Sequence, residues 1–490
     1  MLAGLITGCA VLLGASAARA DPPVAPSYDI VIAGGTVVDP DSGVEAVLDV
    51  GITDGTIAAL SKRSLAGARR LGARGKHVVP GFIDVTSYGP YRYSSKFKIA
   101  DGVTTSLSLH GGTSDFASWE RLQHKNRPML NYGSAVSHHF LRKRIGPYNR
   151  YRGAKPSQIR EFVRRVRRSI EAGALGVSFS LEYTPGSALP ELRALVFLAG
   201  EYGVPAFFHL RYSDPEPPGT NVEAVDEVIA LAKETGATIH IHHITSTGGT
   251  FTMPQTVAQI DAARAEGLDI HASLYPYHYW ATYLNSARFD PGWRERFRID
   301  YEDLQLAGTE TRLNRRSFTR LRETKRVAVA YAIPPADVIT GLRTPWIMIG
   351  SDSVIARSGR SHPRGAGSFA RLIGKYVRDD GILTLAEAVT RASLLPAQTF
   401  AGIAPALANK GRIQVGMDAD IVVFDLAQIA DAATVAEPRA YSQGIDYVLV
   451  NGVLLREGDE VNYAPVGRLI RSRVRGAEGK RQESRELAAH

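Results

Sequence analysis

Between residues 99 and 392 the sequence alternates short apolar runs with segments of helical periodicity, and this rhythm restricts the folds open to the chain. The runs have the length of strands and are apolar throughout, as expected of strands covered on both faces of a parallel sheet. The candidate strands are 104–109, 175–180, 205–209, 238–244, 269–275 and 346–350, and the candidate helices are 157–172, 191–202, 222–235, 256–266 and 384–392. The alternation predicts an α/β fold with helices around a parallel sheet.

The length of the chain favours a barrel with an accessory domain. A (β/α)8 barrel takes about 250 residues or more, and the chain has 490 residues. A doubly wound sheet is the alternative, but no Gly-x-Gly-x-x-Gly motif follows a candidate strand. We therefore predict a TIM-like (β/α)8 barrel at residues 81–405, interrupted by an irregular insertion at about 285–330.

Both ends of the chain carry patterns of short strands separated by turns. Asp54-Gly55, for example, suits the tight turn of a β-hairpin. Residues 28–80 and 406–462 are predicted to form one small β-sandwich domain together. Residues 463–490 are predicted to be a basic, polar tail.

The N-terminus has the pattern of an export signal. Residues 1–20 are predicted to be a signal peptide, because an apolar segment is followed by small residues that suit cleavage after Ala20. Residues 21–27 then form a Pro-rich linker. Cys9 is the only cysteine, and its surroundings leave a lipoprotein anchor open as an alternative. These features predict a periplasmic or secreted protein without a transmembrane segment.

The formal net charge is +9, which by itself would suit nucleic acid, an anionic surface or an acidic small molecule. Much of the excess lies in one candidate helix, around residues 164–168, and in the tail, where solvated side chains explain it. No zinc finger or other nucleic-acid-binding motif accompanies the charge. We predict a small-molecule partner and no nucleic acid, and the oligomeric state is left open.

Several stretches match one known family in the same order. They are V-P-G-F-I-D (79–84), A-D-G-V-T-T (100–105), G-A-L-G-V-S (173–178), L-E-Y-T-P-G (181–186), H-L-R (209–211), I-H-I-H-H (239–243), I-G-S-D (349–352), H-P-R (362–364) and K-G-R-I-Q-V-G-M-D-A-D-I-V (410–422). Together they resemble the D-aminoacylase branch of the amidohydrolase superfamily, the N-acyl-D-amino-acid deacylases. The L-E-Y-T-P-G and H-P-R stretches point to the branch, and the remainder to the superfamily.

The resemblance implies a metal-dependent hydrolase that cleaves a linear amide by attack of metal-activated water. The substrate it implies is an N-acyl-D-amino acid or a related acyl-amino acid or peptide. His209 and His243 lie at the ends of two neighbouring candidate strands, and the resemblance implies that both bind a catalytic zinc ion. It also implies that Asp352, after the last candidate barrel strand, is the general base and a further contact to the metal.

The first barrel strand departs from the family pattern. The superfamily usually has Phe-Ile-Asp-x-His-x-His there, but Thr86 and Tyr88 occupy the two histidine positions. Their hydroxyl groups stay protonated near neutral pH and are poor zinc ligands. Gly111 stands where the branch carries a cysteine ligand, and His110 beside it is a weaker candidate. We therefore predict one zinc ion instead of two.

Four residues are candidates for the substrate side of the site. The resemblance implies that Arg364 binds the substrate α-carboxylate, which a guanidinium group can hold through two parallel hydrogen bonds. Arg211 is a candidate for similar work or for support of the metal ligands. Tyr277 is a candidate wall of the pocket, and Glu182 is a weaker candidate oxygen donor that is equally explained as a turn residue.

Two other functions remain open on these residues. A catalytically silent binding protein would keep the barrel without a tightly bound metal. A cyclic-amide hydrolase would share the fold and act on ring substrates.

Overall fold

The computed structural model describes residues 28–146 and 148–473. The predicted signal peptide with Cys9, the linker 21–27 and residues 474–490 of the predicted tail lie outside the described residues. Within the described ranges, no helix is both long enough and apolar enough to cross a membrane.

The described residues contain twenty strands and thirteen α-helices. The strands are β1 (Tyr28–Asp39), β2 (Val44–Thr53), β3 (Thr56–Ser61), β4 (Gly67–Gly72), β5 (His77–Pro80), β6 (Phe82–Asp84), β7 (Val103–Thr113), β8 (Asn131–Ser137), β9 (Val177–Ser180), β10 (Ala206–His209), β11 (Ile239–Ile241), β12 (Ile270–Leu274), β13 (Trp280–Tyr283), β14 (Leu304–Leu306), β15 (Val327–Ala330), β16 (Ile347–Ile349), β17 (Ile421–Phe424), β18 (Ile445–Val450), β19 (Val453–Glu457) and β20 (Glu460–Val461). The α-helices are α1 (Arg92–Ala100), α2 (Phe116–Asn126), α3 (His138–Arg144), α4 (Pro156–Glu171), α5 (Leu189–Tyr202), α6 (Asn221–Thr235), α7 (Met253–Ala265), α8 (Trp293–Phe297), α9 (Arg315–Leu321), α10 (Pro335–Arg343), α11 (Arg364–Arg371), α12 (Leu385–Val389) and α13 (Leu395–Ala401). Shorter 3-10 turns (Ala287–Phe289, Tyr301–Asp303, Pro405–Leu407) and two π-helical segments (Leu372–Asp379, Thr390–Leu394) complete the regular structure.

Eight parallel strands form the central barrel, in the order β16-β12-β11-β10-β9-β8-β7-β6. A parallel bridge between Ser87 and Ser353 brings the first and last strands together just beyond their ends. The strands are buried over almost their whole length, because helices cover the outside and side chains fill the inside. The predicted (β/α)8 barrel is confirmed.

A buried ion pair joins the first barrel strand to the last. The Asp84 carboxylate, at the end of β6, accepts hydrogen bonds from the Ser351 main-chain nitrogen (2.9 Å) and hydroxyl (2.6 Å). Lys98 of α1 pairs with the same carboxylate. Burial raises the pKa of Asp84, but the charge of Lys98 outweighs this effect and the pKa is lowered. Because a buried charge is costly without its partners, these contacts fix the position of Ser351 relative to β6.

Strands from both chain ends share one nine-stranded mixed sheet, in the order β20-β19-β18-β17-β5-β1-β2-β3, with β4 beside β1. This sheet encloses an apolar cluster of its own. The buried Lys410 ammonium binds Asp418 (2.7 Å) and Asp420 (2.6 Å), and Asp420 accepts a further hydrogen bond from Asn131 of barrel strand β8 (2.9 Å). The small β domain predicted from both chain ends is therefore present and is hydrogen-bonded to the barrel.

The insertion predicted at about 285–330 contributes β14 and β15 to a three-stranded antiparallel sheet, in the order β13-β15-β14, whose first strand begins before the predicted bounds, at Trp280. Helices α8 and α9 lie beside it, and their aromatic side chains pack on those of β13 and the turn at 287–289. Apolar packing thus gives the insertion a small core of its own. Its strands and helices are only three to seven residues long, too short for a clear helical or strand period.

The first part of the predicted polar tail lies against the barrel. Leu469 forms a parallel bridge with Tyr132 at the start of β8, and the Ile470 main-chain nitrogen donates to the Tyr132 carbonyl (2.7 Å). The Ile470 side chain is buried among apolar residues of the barrel. Residues 463–473 thus belong to the folded body.

Glu191 ties α5 to α3 in a fully buried cluster. Its Oε2 atom accepts hydrogen bonds from Arg142 Nη1 (2.5 Å) and His138 Nε2 (3.0 Å), and its Oε1 atom accepts one from the Ala188 main-chain nitrogen (2.6 Å). Burial raises the pKa of the Glu191 carboxyl. The hydrogen bond from His138 and the charge of Arg142 outweigh burial, so the pKa falls to about 2.

Replacing Glu191 is expected to destabilise the fold in a pH-dependent way. Glu191→Gln should lower the free energy of unfolding at pH 7 by about 3 kcal/mol, because a buried charge loses its partner. Since the folded-state pKa lies below the ordinary value of 4.5, the stabilisation is complete above pH 4.5 and is lost as the pH falls through about 2. Urea unfolding of both proteins between pH 7 and pH 3 should show that the difference between their free energies of unfolding becomes smaller as the pH falls. Glu234→Gln, which breaks an exposed pair with Arg193, is the control and should cost less than about 1 kcal/mol; a Glu191→Gln deficit that is constant with pH would contradict the assignment.

Candidate metal centre and active site

Three buried histidines converge at the carboxyl ends of the barrel strands. His110 lies near the end of β7, His209 ends β10, and His243 follows β11 by two residues. One nitrogen from each of the three lies within 4.8 Å of the others. His209 Nδ1 and His243 Nε2 are 3.1 Å apart. The structure therefore brings together both predicted zinc ligands and the weaker candidate, His110.

An irregularity in β7 accounts for the direction of His110. The parallel register between β7 and β8 shifts between Ser108 and Thr113. The His110 carbonyl accepts a hydrogen bond from the Ser178 hydroxyl (2.8 Å), while its ring faces the other two histidines. Because side chains alternate in a regular strand, a shift in this place redirects the residues that follow it. The register shift thus spans the position of His110.

Hydrogen bonds on the outer nitrogens orient two of the histidines. His209 Nε2 donates to Glu182 Oε2 (2.9 Å). The Ser246 hydroxyl donates to the His243 carbonyl (3.1 Å) and lies 3.1 Å from His243 Nδ1. With its proton on Nε2, His209 presents the lone pair of Nδ1 to His243 Nε2, and the tautomer of His243 decides whether this contact is a hydrogen bond or a place for a cation.

A proton on His243 Nε2 would bridge the 3.1 Å to His209 Nδ1, whereas a proton on His243 Nδ1, beside Ser246, leaves two lone pairs that can bind one cation. Two ligands at about 2.05 Å from a tetrahedral zinc ion are themselves about 3.4 Å apart, close to the observed separation. The third imidazole, His110, has its Nδ1 atom buried without a hydrogen-bond partner among the described residues. This donor set fits a zinc ion.

Burial also keeps the imidazoles in the form that binds metals. It lowers the pKa of His110 and His243 well below the ordinary value of 6.5. It lowers the pKa of His209 as well, against the raising effect of Glu182. All three rings are therefore neutral near pH 7, which metal coordination requires.

Asp352 lies beside the three histidines. Its Oδ1 atom is 3.9 Å from His110 Nε2, and its Oδ2 atom is 4.0 Å from His243 Nε2. Burial raises the pKa of Asp352 to about 6, although the charge of Arg364 opposes this. A carboxylate with a pKa near neutrality and close to the imidazoles can accept and return a proton.

The backbone is strained at two of these positions. His243 has a φ angle of +33° and Asp352 one of +45°, a region that side chains other than glycine rarely adopt. Strand β11 ends at Ile241, so His243 lies in the turn beyond it and does not follow the alternation of the strand. Strain of this kind persists where surrounding contacts hold a functional geometry in place.

Arg364 is positioned by Asp352. Its Nη2 atom is 2.6 Å from Asp352 Oδ2, and its Nε atom donates to the Asp352 carbonyl (2.9 Å). The guanidinium group also lies over the Tyr275 ring, 4.5 Å from its centroid. The Nη1 atom is buried and has no partner among the described residues. One donor of Arg364 thus remains open beside Asp352, and its predicted substrate-binding role stays a prediction.

Two predicted substrate-side residues point elsewhere. The Arg211 guanidinium binds Glu227 through Nε (3.1 Å) and Nη2 (2.8 Å) and the Pro185 carbonyl through Nη1 (3.0 Å). The Tyr277 hydroxyl donates to Asp431 (3.0 Å). The guanidinium group of Arg211 is thus paired within the protein, which goes against binding of a substrate carboxylate, and the role of Tyr277 as a wall of the pocket stays a prediction.

Glu182 supports His209, a predicted zinc ligand, and this supporting role was not predicted from the sequence. Its Oε2 atom accepts hydrogen bonds from His209 and from the Ser213 hydroxyl (2.8 Å), and it lies 3.2 Å from Arg288 Nη1. The Ser246 hydroxyl contacts the outer nitrogen of His243, and Ser246 follows His243 by three residues. Arg288 is far away in the irregular insertion, and no local pattern indicates it.

Glycines make room for the residues that replace the usual metal ligands on the first strand. A Cβ atom on Gly111 would lie 2.8 Å from the Tyr88 Cα atom, and one on Gly350 would lie 2.1 Å from Thr86 Oγ1. The Tyr88 ring packs edge-on against His110, with centroids 5.1 Å apart. Tyr88 therefore leaves no room for a side chain at position 111.

The comparisons with known proteins agree with this geometry. The model of the amidohydrolase family matches residues 95–456. An N-acyl-D-glutamate deacylase from Alcaligenes xylosoxydans xylosoxydans is 33% identical over 487 residues, covering 90% of this chain and 96% of that protein. The chain belongs to the amidohydrolase family.

Solved structures extend the likeness of this amidohydrolase to its whole described body. A D-aminoacylase crystal structure has a TM-score of 0.79 and 25% identity, covering 91% of this chain and 100% of that one. The N-acyl-D-glutamate deacylase from Bordetella bronchiseptica, complexed with zinc and a phosphonate inhibitor, has a TM-score of 0.78 and 27% identity over the same shares. The predicted D-aminoacylase branch is confirmed, and the amidohydrolase is a hydrolase of C–N bonds.

The steric link between the first and last barrel strands can be measured by a double-mutant cycle. Gly350→Ala is expected to cost about 1–3 kcal/mol, because its methyl group overlaps the Thr86 hydroxyl. Thr86→Ala removes that hydroxyl, which also accepts a hydrogen bond from the Asp352 main-chain nitrogen (3.0 Å). The double variant should be more stable than the sum of the single effects by about 1 kcal/mol. Urea denaturation of the four proteins measures the coupling, and a value within about 0.5 kcal/mol of zero would refute the overlap.

Proposed function

We propose that this amidohydrolase removes the acyl group from an N-acyl-D-amino acid with the help of one zinc ion. The observation that carries the proposal is the convergence of three neutral imidazoles beside Asp352, with His209 Nδ1 and His243 Nε2 3.1 Å apart. The N-acyl-D-glutamate deacylase relative, at 33% identity, supports the substrate class.

His110, His209 and His243 would hold the zinc ion. When bound in a catalytic site with three protein ligands, zinc polarises a carbonyl group and lowers the pKa of water to about 7. Thr86 and Tyr88 replace the histidine pair of the first strand, so the chain lacks the side chains for a second ion there. One ion per chain is therefore the proposed stoichiometry.

Asp352 moves the protons of the reaction. Its carboxylate takes a proton from the attacking water as the water oxygen bonds to the amide carbon. It then returns that proton to the nitrogen as the C–N bond breaks, which releases a carboxylic acid and a free amino acid. The open Nη1 donor of Arg364 lies beside this carboxylate and would bind the substrate α-carboxylate.

Substitutions separate the metal ligands from the proton carrier. His209→Ala and His243→Ala are each expected to reduce zinc from about one ion per chain to near zero and to abolish turnover, because too few ligands remain. Asp352→Asn should keep the zinc and lower kcat by about 10²- to 10⁴-fold. Elemental analysis after reconstitution, together with an assay of amine release, measures both properties.

His124→Ala is the matched control, because His124 is an exposed histidine of α2. It should change neither zinc content nor turnover. Full zinc content in both histidine variants would overturn the metal assignment. Unchanged turnover in Asp352→Asn would overturn the role given to the carboxylate.

A substrate panel tests the reaction class. N-acetyl-D-amino acids, their L-enantiomers and hydantoin rings would be assayed with the zinc-reconstituted protein. Release of amino acid from the D-series supports the proposal. Turnover of the rings alone would replace it with cyclic-amide hydrolysis, and no turnover with or without zinc would favour a silent binding protein.

A further inference from the structure

Arg288 reaches from the insertion into the supports of the metal centre. It lies in the turn Ala287–Phe289, and its side chain is only 2% exposed. The guanidinium group lies over the ring of Trp280 (4.0 Å to the centroid) and near that of Phe297 (4.9 Å). These two rings hold the side chain in one direction, towards the barrel.

The two ends of the guanidinium group contact the supports of two different histidines. Nη1 lies 3.2 Å from Glu182 Oε2, the atom that accepts the hydrogen bond from His209. Nη2 donates to the Ser246 carbonyl (2.7 Å), and the Ser246 hydroxyl contacts His243 Nδ1. One side chain thus bridges the two groups that fix the outer nitrogens of His209 and His243.

We propose that Arg288 is a positioning residue that holds Glu182 and Ser246 in place, so that His209 and His243 keep the tautomers and ring orientations needed to bind a cation. The proposal rests on the proposed function for the identity of that cation. Under this proposal the insertion, through Arg288, contributes to the geometry of the metal site. Removal of a group that orients a metal-ligating histidine typically weakens metal binding by about 10- to 100-fold.

A purely structural role is the alternative, in which Arg288 only fills the aromatic cage of the insertion. Arg288→Met separates the two roles, because methionine keeps an unbranched apolar side chain between the rings but has no N–H donor. Arg322→Met is the matched control. Arg322 ties the same insertion together through Leu284, Ser286 and Asp290, and none of its hydrogen bonds goes to Glu182 or Ser246.

Two measurements on the full chain test the proposal. The first is the zinc dissociation constant of the metal-stripped protein, by competition with a chromophoric chelator. The second is the tautomer of each imidazole in the same metal-free protein at a fixed neutral pH, from long-range ¹H–¹⁵N spectra. Arg288→Met should weaken zinc binding by about 10- to 100-fold and give His209 a mixture of tautomers.

Arg322→Met should lower thermal stability to a similar extent but leave the zinc affinity and both tautomers as in wild type. Arg288→Lys, which keeps a charge and a donor, should recover part of the affinity. Wild-type affinity and tautomers in Arg288→Met, or an equal loss of affinity in Arg322→Met, would overturn the proposal. If wild-type protein bound no zinc, the proposed function would fail, and the metal-free spectra would still decide the role of Arg288.

Discussion

The closed contact between the first and last barrel strands is the constraint on which the site depends. The Asp84 carboxylate accepts hydrogen bonds from the main-chain nitrogen and the hydroxyl of Ser351, and the buried Lys98 ammonium neutralises its charge. Asp352 is the next residue, and its main-chain nitrogen is held by Thr86. The carboxylate that faces the three histidines therefore takes its position from a charge pair one residue away, and the strained backbone at Asp352 is maintained by these contacts.

The barrel could be predicted from local pattern, and the central site residues from that pattern together with the resemblance to the D-aminoacylase branch. Strands buried on both faces are apolar runs, and parallel strands present their last residues at one edge, so His209, His243 and Asp352 could be placed together. Strand β8 escaped prediction because its sequence from Asn131 to Ser137 is small and polar and has no apolar run. The direction of His110 depends on a register shift in β7, which has no signature in a single sequence.

The supports of the site could not be predicted, because they come from segments distant in the chain. Arg288 lies in an insertion without periodic pattern, and its target Glu182 is more than a hundred residues earlier. Arg211, two residues after a metal-ligand candidate, turned instead to Glu227 on helix α6. Short-range spacing thus indicates which residues are near the edge of the barrel, but long-range packing decides which way their polar groups face.

The nine-stranded sheet has a consequence for how the protein is made. Strand β5 lies between β1 and β17, and its partner at residues 421–424 is more than 300 residues further along. At a synthesis rate of 5–20 residues per second, the edge of β5 that pairs with β17 stays unpaired for roughly 20 to 70 seconds. Unpaired strand edges attract other chains. The accessory domain is thus the first part of the described chain to be synthesised and the last to be completed, which exposes it to aggregation for the whole time that the barrel is being translated.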